Sequence, residues 1–109
     1  MKFDFEKARK RYNEIMEDIG REECTVGTND SAEETEGWNI RDMVSEAAYH
    51  LSCYYEYGNC SAEMRYSDDE YEREMWRSRT GRLTRFINAY KPFIEGVKCK
   101  QGHSSKYDN

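Results

Sequence analysis

The run Tyr66-Ser67-Asp68-Asp69-Glu70-Tyr71 carries the strongest local instruction in the chain. Ser67 and Glu70 have the spacing of a capping box, in which each side chain satisfies a backbone N–H that the first helical turn leaves without a partner. Tyr66 and Tyr71 occupy the two positions of a hydrophobic staple around it. A helix beginning near Asp68 follows. It can run to Tyr90, because Lys91-Pro92 stops or bends a helix there. Its apolar phase is mixed: Trp76, Leu83, Ile87 and Tyr90 share a face, Tyr71 and Met75 point elsewhere, and Gly81 weakens the middle. A bend near Arg79–Gly81 would reconcile the two faces.

Two further stretches have helical period. After Asp4, a good N-cap, Phe5, Ala8, Tyr12, Ile15, Met16 and Ile19 recur at three-and-four spacing up to Gly20, which predicts a helix over 5–19. Asn39 can cap the next, with Trp38 packing on Met43 as a staple and Asp42 favoured in the first turn by the helix dipole. Its inward face is Ile40, Met43, Val44, Ala47, Leu51, Tyr54 and Tyr55, and Gly58-Asn59 ends it, giving 40–57. The expected fold is therefore mainly α, a small antiparallel three-helix bundle with one long acidic loop and room for a short hairpin in residues 22–37. Residues 1–95 read as a single helical domain and 96–109 as a polar C-terminal tail.

A charged fraction of 36% against 37% hydrophobic residues raises the question of disorder. Nine Tyr, four Phe and two Trp answer it, since a disordered chain is poor in such rings. The expected core is thin, with tyrosine hydroxyls at its edge. Residues 1–20 open on Lys2, Asp4, Glu6 and Lys7 and hold no apolar run, so neither a signal peptide nor a membrane span is expected. The implied compartment is the cytoplasm, where Cys24, Cys53, Cys60 and Cys99 are thiols or metal ligands rather than disulfides.

Chemistry-bearing patterns are sparse. Cys99 and His103 form a Cys-x3-His pair and His50 with Cys53 a His-x2-Cys pair, and with Cys60 these are the ligands a tetrahedral zinc site would use. No Cys-x2-Cys knuckle is present, and scattered sulfurs more often pack as inert thiols, so no metal or cofactor is expected. Cysteine catalysis would pair Cys53 with His50, yet no Gly-rich turn or oxyanion element accompanies them. Asp68-Asp69 and Glu33-Glu34 suit a helix start and a solvated loop better than acid–base work. The seven glycines are dispersed and match no nucleotide-binding fingerprint. The chain reads as a non-enzyme.

Charge is the most informative bulk property. Between Glu22 and Glu36 lie six acids and no base, whereas between Arg73 and Lys91 lie six bases against Glu74 alone. Arg73, Arg77 and Arg85 fall on neighbouring helical positions with Arg82 and Arg79 around the sides, a surface suited to phosphates, and Trp76 and Tyr90 could stack bases. A nucleic-acid binder is usually basic overall, however, and this chain has a net charge of −5. Pairing of the arginines within the chain is the plainer alternative. Conversely Glu33, Glu34 and Glu36 on a compact protein can imitate a phosphate backbone, with Trp38 as an interface anchor.

The segments Glu36-Gly37-Trp38-Asn39-Ile40-Arg41-Asp42-Met43-Val44-Ser45-Glu46 and Thr80-Gly81-Arg82-Leu83-Thr84-Arg85-Phe86-Ile87-Asn88-Ala89-Tyr90 resemble small proteins of bacterial phages and conjugative elements, over about half the chain. The resemblance implies a setting rather than a mechanism: small acidic proteins of mobile elements include anti-CRISPR and anti-restriction inhibitors. The expectation is thus a protein-binding inhibitor of a host nucleic-acid enzyme such as a Cas nuclease. Its candidate contacts are Glu33, Glu34, Glu36, Trp38, Arg73, Arg77, Arg82 and Arg85. The rivals are a nucleic-acid-binding regulator using the Arg-rich helix and a zinc-stabilised structural protein.

Overall fold

A computed structural model describes residues 3–23 and 37–100. It contains α1 (Phe5–Glu23), α2 (Ile40–Cys53), the single turn α3 (Cys60–Glu63) and α4 (Glu70–Tyr90), with 3-10 turns at Met64–Tyr66 and Lys91–Phe93. The three long helices form the expected bundle, α2 packing on α4 and α1 on both. No strand occurs among the described residues, and the segment where a hairpin was expected lies outside them apart from its ends.

The helix starts obey local chemistry. Asp4 Oδ1 accepts the Lys7 N–H at 3.1 Å. Asn39 Oδ1 accepts the Asp42 N–H at 2.9 Å while Asp42 Oδ2 accepts the Asn39 N–H at 2.8 Å, a reciprocal cap that holds the fully buried Asp42. The α4 start differs from expectation. Its N-cap is Asp69, whose Oδ1 accepts the Tyr71 N–H at 3.0 Å, and Ser67 Oγ accepts the Asp69 N–H at 3.1 Å. Ser67, Asp68 and Asp69 all compete as caps, and the carboxylate nearest the helix takes the position, so the Ser67–Glu70 box gives way to it.

The ends differ too. α1 continues through Gly20 to Glu23, since a glycine weakens a helix interior by only about 0.5–1 kcal/mol and does not stop it. α2 ends at Cys53, four residues before the expected 57. The Tyr54 and Tyr55 N–H groups bond back to Leu51 and Ser52 carbonyls at 3.1 Å each, the i−3 spacing that tightens and closes a last turn. Tyr55, expected inside, is consequently half exposed. α4 runs unbroken through Gly81, so no interruption is needed to reconcile its faces: Tyr71 is exposed, Met75 half-buried, and the remainder packs on the bundle.

The core takes the predicted stripe of α1 from Ala8 to Ile19, with Met43, Val44 and Ala47 of α2 and Leu83, Phe86 and Ile87 of α4. Phe86, absent from the expected face, is fully buried with its ring 5.7 Å from that of Tyr12. Burying such a side chain contributes about 1.5–3 kcal/mol. A second aromatic layer closes one pole, where Phe3 stacks on Phe93 at 4.9 Å and meets Tyr90 edge-on at 6.0 Å. The chain beyond α4 lies against the start of α2: Asn39 Nδ2 donates to the Lys98 carbonyl at 2.8 Å, Arg41 Nη1 donates to the Ile94 carbonyl at 3.2 Å, and Ser45 Oγ lies 3.5 Å from Cys99 Sγ. No helix among the described residues is long and apolar enough to cross a membrane.

Candidate functional site

The arginines of α4 do not form one free face. The Arg73 guanidinium donates to the Ser67 carbonyl, closing the loop that leads into the helix. Arg77 pairs with Glu74 one turn away, and Arg82 reaches across to Asp18 of α1, Nη1 to Oδ2 at 2.7 Å. Arg79 is only 3% exposed, and its Nη1 donates to the Tyr54 hydroxyl at 3.3 Å. Arg85 is exposed and borders a shallow depression with Arg11, Glu14 and Arg82. Among the residues proposed to stack bases, Tyr90 is buried and Trp76 is half-buried, with Nε1 donating to the Tyr54 carbonyl at 2.8 Å. Trp38 packs on the core, its ring 5.8 Å from that of Tyr12. Glu33, Glu34 and Glu36 lie outside the described residues.

Cys24 lies outside the described residues, and the described cysteines are divided between two places. Cys99 lies beside Ser45, while Cys53 sits two turns further along α2, about 12 Å away by helical rise. Cys53 and Cys60 instead line a cavity of about 700 Å³ with Tyr49, His50, Glu72 and Arg79. There His50 Nε2 lies 3.9 Å from Glu46 Oε1. The adjacent Cys53 sulfur, then burial, a hydrogen bond with that sulfur and the carboxylates Glu46 and Glu56 hold the Tyr49 hydroxyl above the ordinary tyrosine range. Tyr49 is about half exposed, so the neighbouring negative groups matter more than desolvation. Among the described residues, no three His, Cys, Asp or Glu side chains are placed to hold a metal ion; His103 lies outside them.

The feature that sequence reasoning missed is a tyrosine-rich end. Among the described residues, the exposed large apolar side chains are Tyr49, Tyr55, Tyr57, Tyr66 and Tyr71, all within one stretch of the chain. Its construction is local. Tyr54 turns inward after α2, leaving Tyr55 and Tyr57 outside, and Tyr57 is 98% exposed. Gly58 turns the chain with φ of +89°, a region that an L side chain enters only with strain. Asn59 then caps α3, its Oδ1 accepting the Ser61 N–H at 2.8 Å, and Ala62 anchors that turn in the protein.

Arg65 binds this end together. Its guanidinium carbon lies 5.0 Å from the Trp76 ring centroid, 5.4 Å from Tyr66 and 5.7 Å from Tyr55. Those distances are within the range of cation–π attraction. Tyr55 also meets Trp76 edge-on at 5.3 Å. Tyr55, Tyr57, Tyr66, Glu63 and Arg65 border a cavity of about 330 Å³. The surroundings are acidic: residues 56–74 hold seven carboxylates against two arginines, a surplus of five that equals the net charge of the whole chain. Six of the seven are exposed, Glu72 being the exception. The sequence signal was present in Tyr54-Tyr55-Glu56-Tyr57-Gly58-Asn59, where tyrosines crowd a turn rather than a helix face. Extending α2 to residue 57 concealed it.

Comparison with known proteins yields no relative: no family model, no curated protein and no solved structure matches the chain.

Proposed function

We propose that this chain acts by binding another protein, and that Tyr55, Tyr57 and Tyr66 with Arg65 form the centre of the contact. One observation carries the reading: all the exposed large apolar side chains among the described residues fall between Tyr49 and Tyr71. Exposed aromatic clusters on a small protein mark interaction surfaces, and Tyr, Trp and Arg are the residues in which binding energy concentrates. Tyrosine offers a large amphipathic area with only two side-chain torsions to fix. Here Arg65 holds Tyr55 and Tyr66 beforehand, which lowers the ordering cost of association.

The setting extends the proposal. The segments that resemble small proteins of phages and conjugative elements support a mobile-element source, and a net charge of −5 suits the basic groove of a host nucleic-acid enzyme. We therefore propose inhibition of such an enzyme, by occupation rather than by catalysis, as the role. The alternative, nucleic acid gripped by the α4 arginines, loses weight because Arg73, Arg77 and Arg82 already have partners within the chain.

Parallel pull-downs test the reading. Tagged wild type and the doubly substituted Tyr57→Ala/Tyr66→Ala protein are used as baits in a bacterial lysate containing Cas nucleases and restriction enzymes, with circular dichroism confirming that both are folded. A protein held by the wild type and lost by the double variant is the expected result. Identical capture by both baits, or recovery of nucleic acid alone, overturns it.

A further inference from the structure

We infer that the cavity bordered by Tyr55, Tyr57, Tyr66 and Glu63 receives a lysine or arginine side chain of a basic partner; the inference rests on the protein-binding reading above and names the partner's chemistry. With about 330 Å³, the cavity is near the lower bound of ligand sites, a size for one side chain rather than an extended ligand. Its lining is four tyrosines with one carboxylate, Glu63, and one guanidinium, Arg65, closed by Gly58 and Ala62. Aromatic rings attract a cation through the negative charge of their faces, and a carboxylate in the rim adds the counter-charge. The chain already demonstrates the affinity of these rings for a cation, since the Arg65 guanidinium lies over Tyr55, Tyr66 and Trp76 together.

The Arg65 charge does not reverse the sign of the site. Glu56 and Glu63 flank it in the loop and in α3, and Asp68, Asp69 and Glu70 follow immediately, all of them exposed. An approaching surface therefore meets a field with a surplus of five negative charges across residues 56–74. Such a field speeds the encounter with a basic surface and repels an acidic one, while the ring-lined cavity supplies the short-range recognition. Tyr57, outside the Arg65 cluster and almost entirely exposed, provides the wall most open to an incoming side chain.

The test is a nuclear magnetic resonance titration of the full chain with an oligolysine peptide, at low and at high salt, with oligoglutamate as the counter-probe. Shifts centred on Tyr57, Gly58, Glu63 and Tyr66 that weaken with salt are expected. Tyr57→Ala and Glu63→Gln should each reduce affinity about fivefold, the scale of one cation–π or rim charge contact. Glu74→Gln, which removes an equally exposed carboxylate that pairs with Arg77 instead of bordering the cavity, should leave affinity almost unchanged. Equal losses from Glu63→Gln and Glu74→Gln mean diffuse charge attraction and overturn the inference, as do oligoglutamate binding or the absence of shifts. If the pull-down partner depends on Tyr57 and Tyr66 while oligolysine binding ignores Glu63, the cation site falls and the protein-binding reading stands.

Discussion

From Glu70 to Trp76, α4 presents Tyr71 to solvent and sets Trp76 against the loop before α3. From Arg77 to Tyr90 it does the reverse, burying Leu83, Phe86, Ile87 and Tyr90 and fastening Arg79 and Arg82 to Tyr54 and Asp18. By sequence alone the roles look exchanged, with arginines suggesting surface and tyrosines suggesting core. The difference shows that the character of a residue does not decide its place; the availability of partners does. Where a second helix lies within reach, a guanidinium is drawn into the structure by hydrogen bonds. Where α2 stops at Cys53, the next helix among the described residues is a single turn, too short to bury the rings, and Tyr55, Tyr57 and Tyr66 stay exposed.

Substitutions in the two regions can break or sharpen that contrast. The largest effect is expected from Phe86→Ala in the packed half, a loss of about 3–5 kcal/mol by chemical denaturation, because a fully buried ring leaves a cavity. Arg79→Ala should follow, costing about 1–3 kcal/mol by the same measurement, since it removes the hydrogen bond between the buried Arg79 guanidinium and the buried Tyr54 hydroxyl. An Arg79→Ala protein as stable as wild type would show that this arginine is not structural.

Glycines give a contrast of sign. Gly58→Ala, at a φ of +89° in the tyrosine loop, should destabilise by about 1–2 kcal/mol although the space around it is open. Gly81→Ala inside α4 should stabilise by about 0.5–1 kcal/mol. A Cβ there meets Arg85 Nη1 at 3.2 Å, and the exposed Arg85 tip can move aside. Thermal melts of the two variants in opposite directions confirm the assignment. The smallest effect is expected at Tyr57: Tyr57→Ala should change stability by no more than about 0.5 kcal/mol, as for surface positions generally. A large loss there would mean that the ring supports the fold and is not held out for a partner.

The legible part of the sequence was the part governed by neighbours close in the chain. The stripe from Ala8 to Ile19 and the Asn39–Asp42 cap follow from helical period and from groups three residues apart. The end of α2 was misread because Tyr54 and Tyr55 continue an apolar period that the backbone no longer follows. The α4 cap was misplaced by two residues because three capping side chains stand in a row. The partner of Arg82 is Asp18, 64 residues away, and no local pattern announces such a pairing. The tyrosine surface was hidden for the same reason, since exposure is a property of what fails to pack.

The stacking of Phe3 on Phe93, with Lys98 and Cys99 beside the start of α2, has a practical consequence. Phe3 and Phe93 share one pole, and Cys99 lies beside Ser45, about 12 Å of helical rise before the Cys53 end of α2 that leads into the tyrosine loop. Fluorophores, immobilisation handles or fused domains attached before Phe3 or after Lys100 are therefore anchored away from the tyrosines.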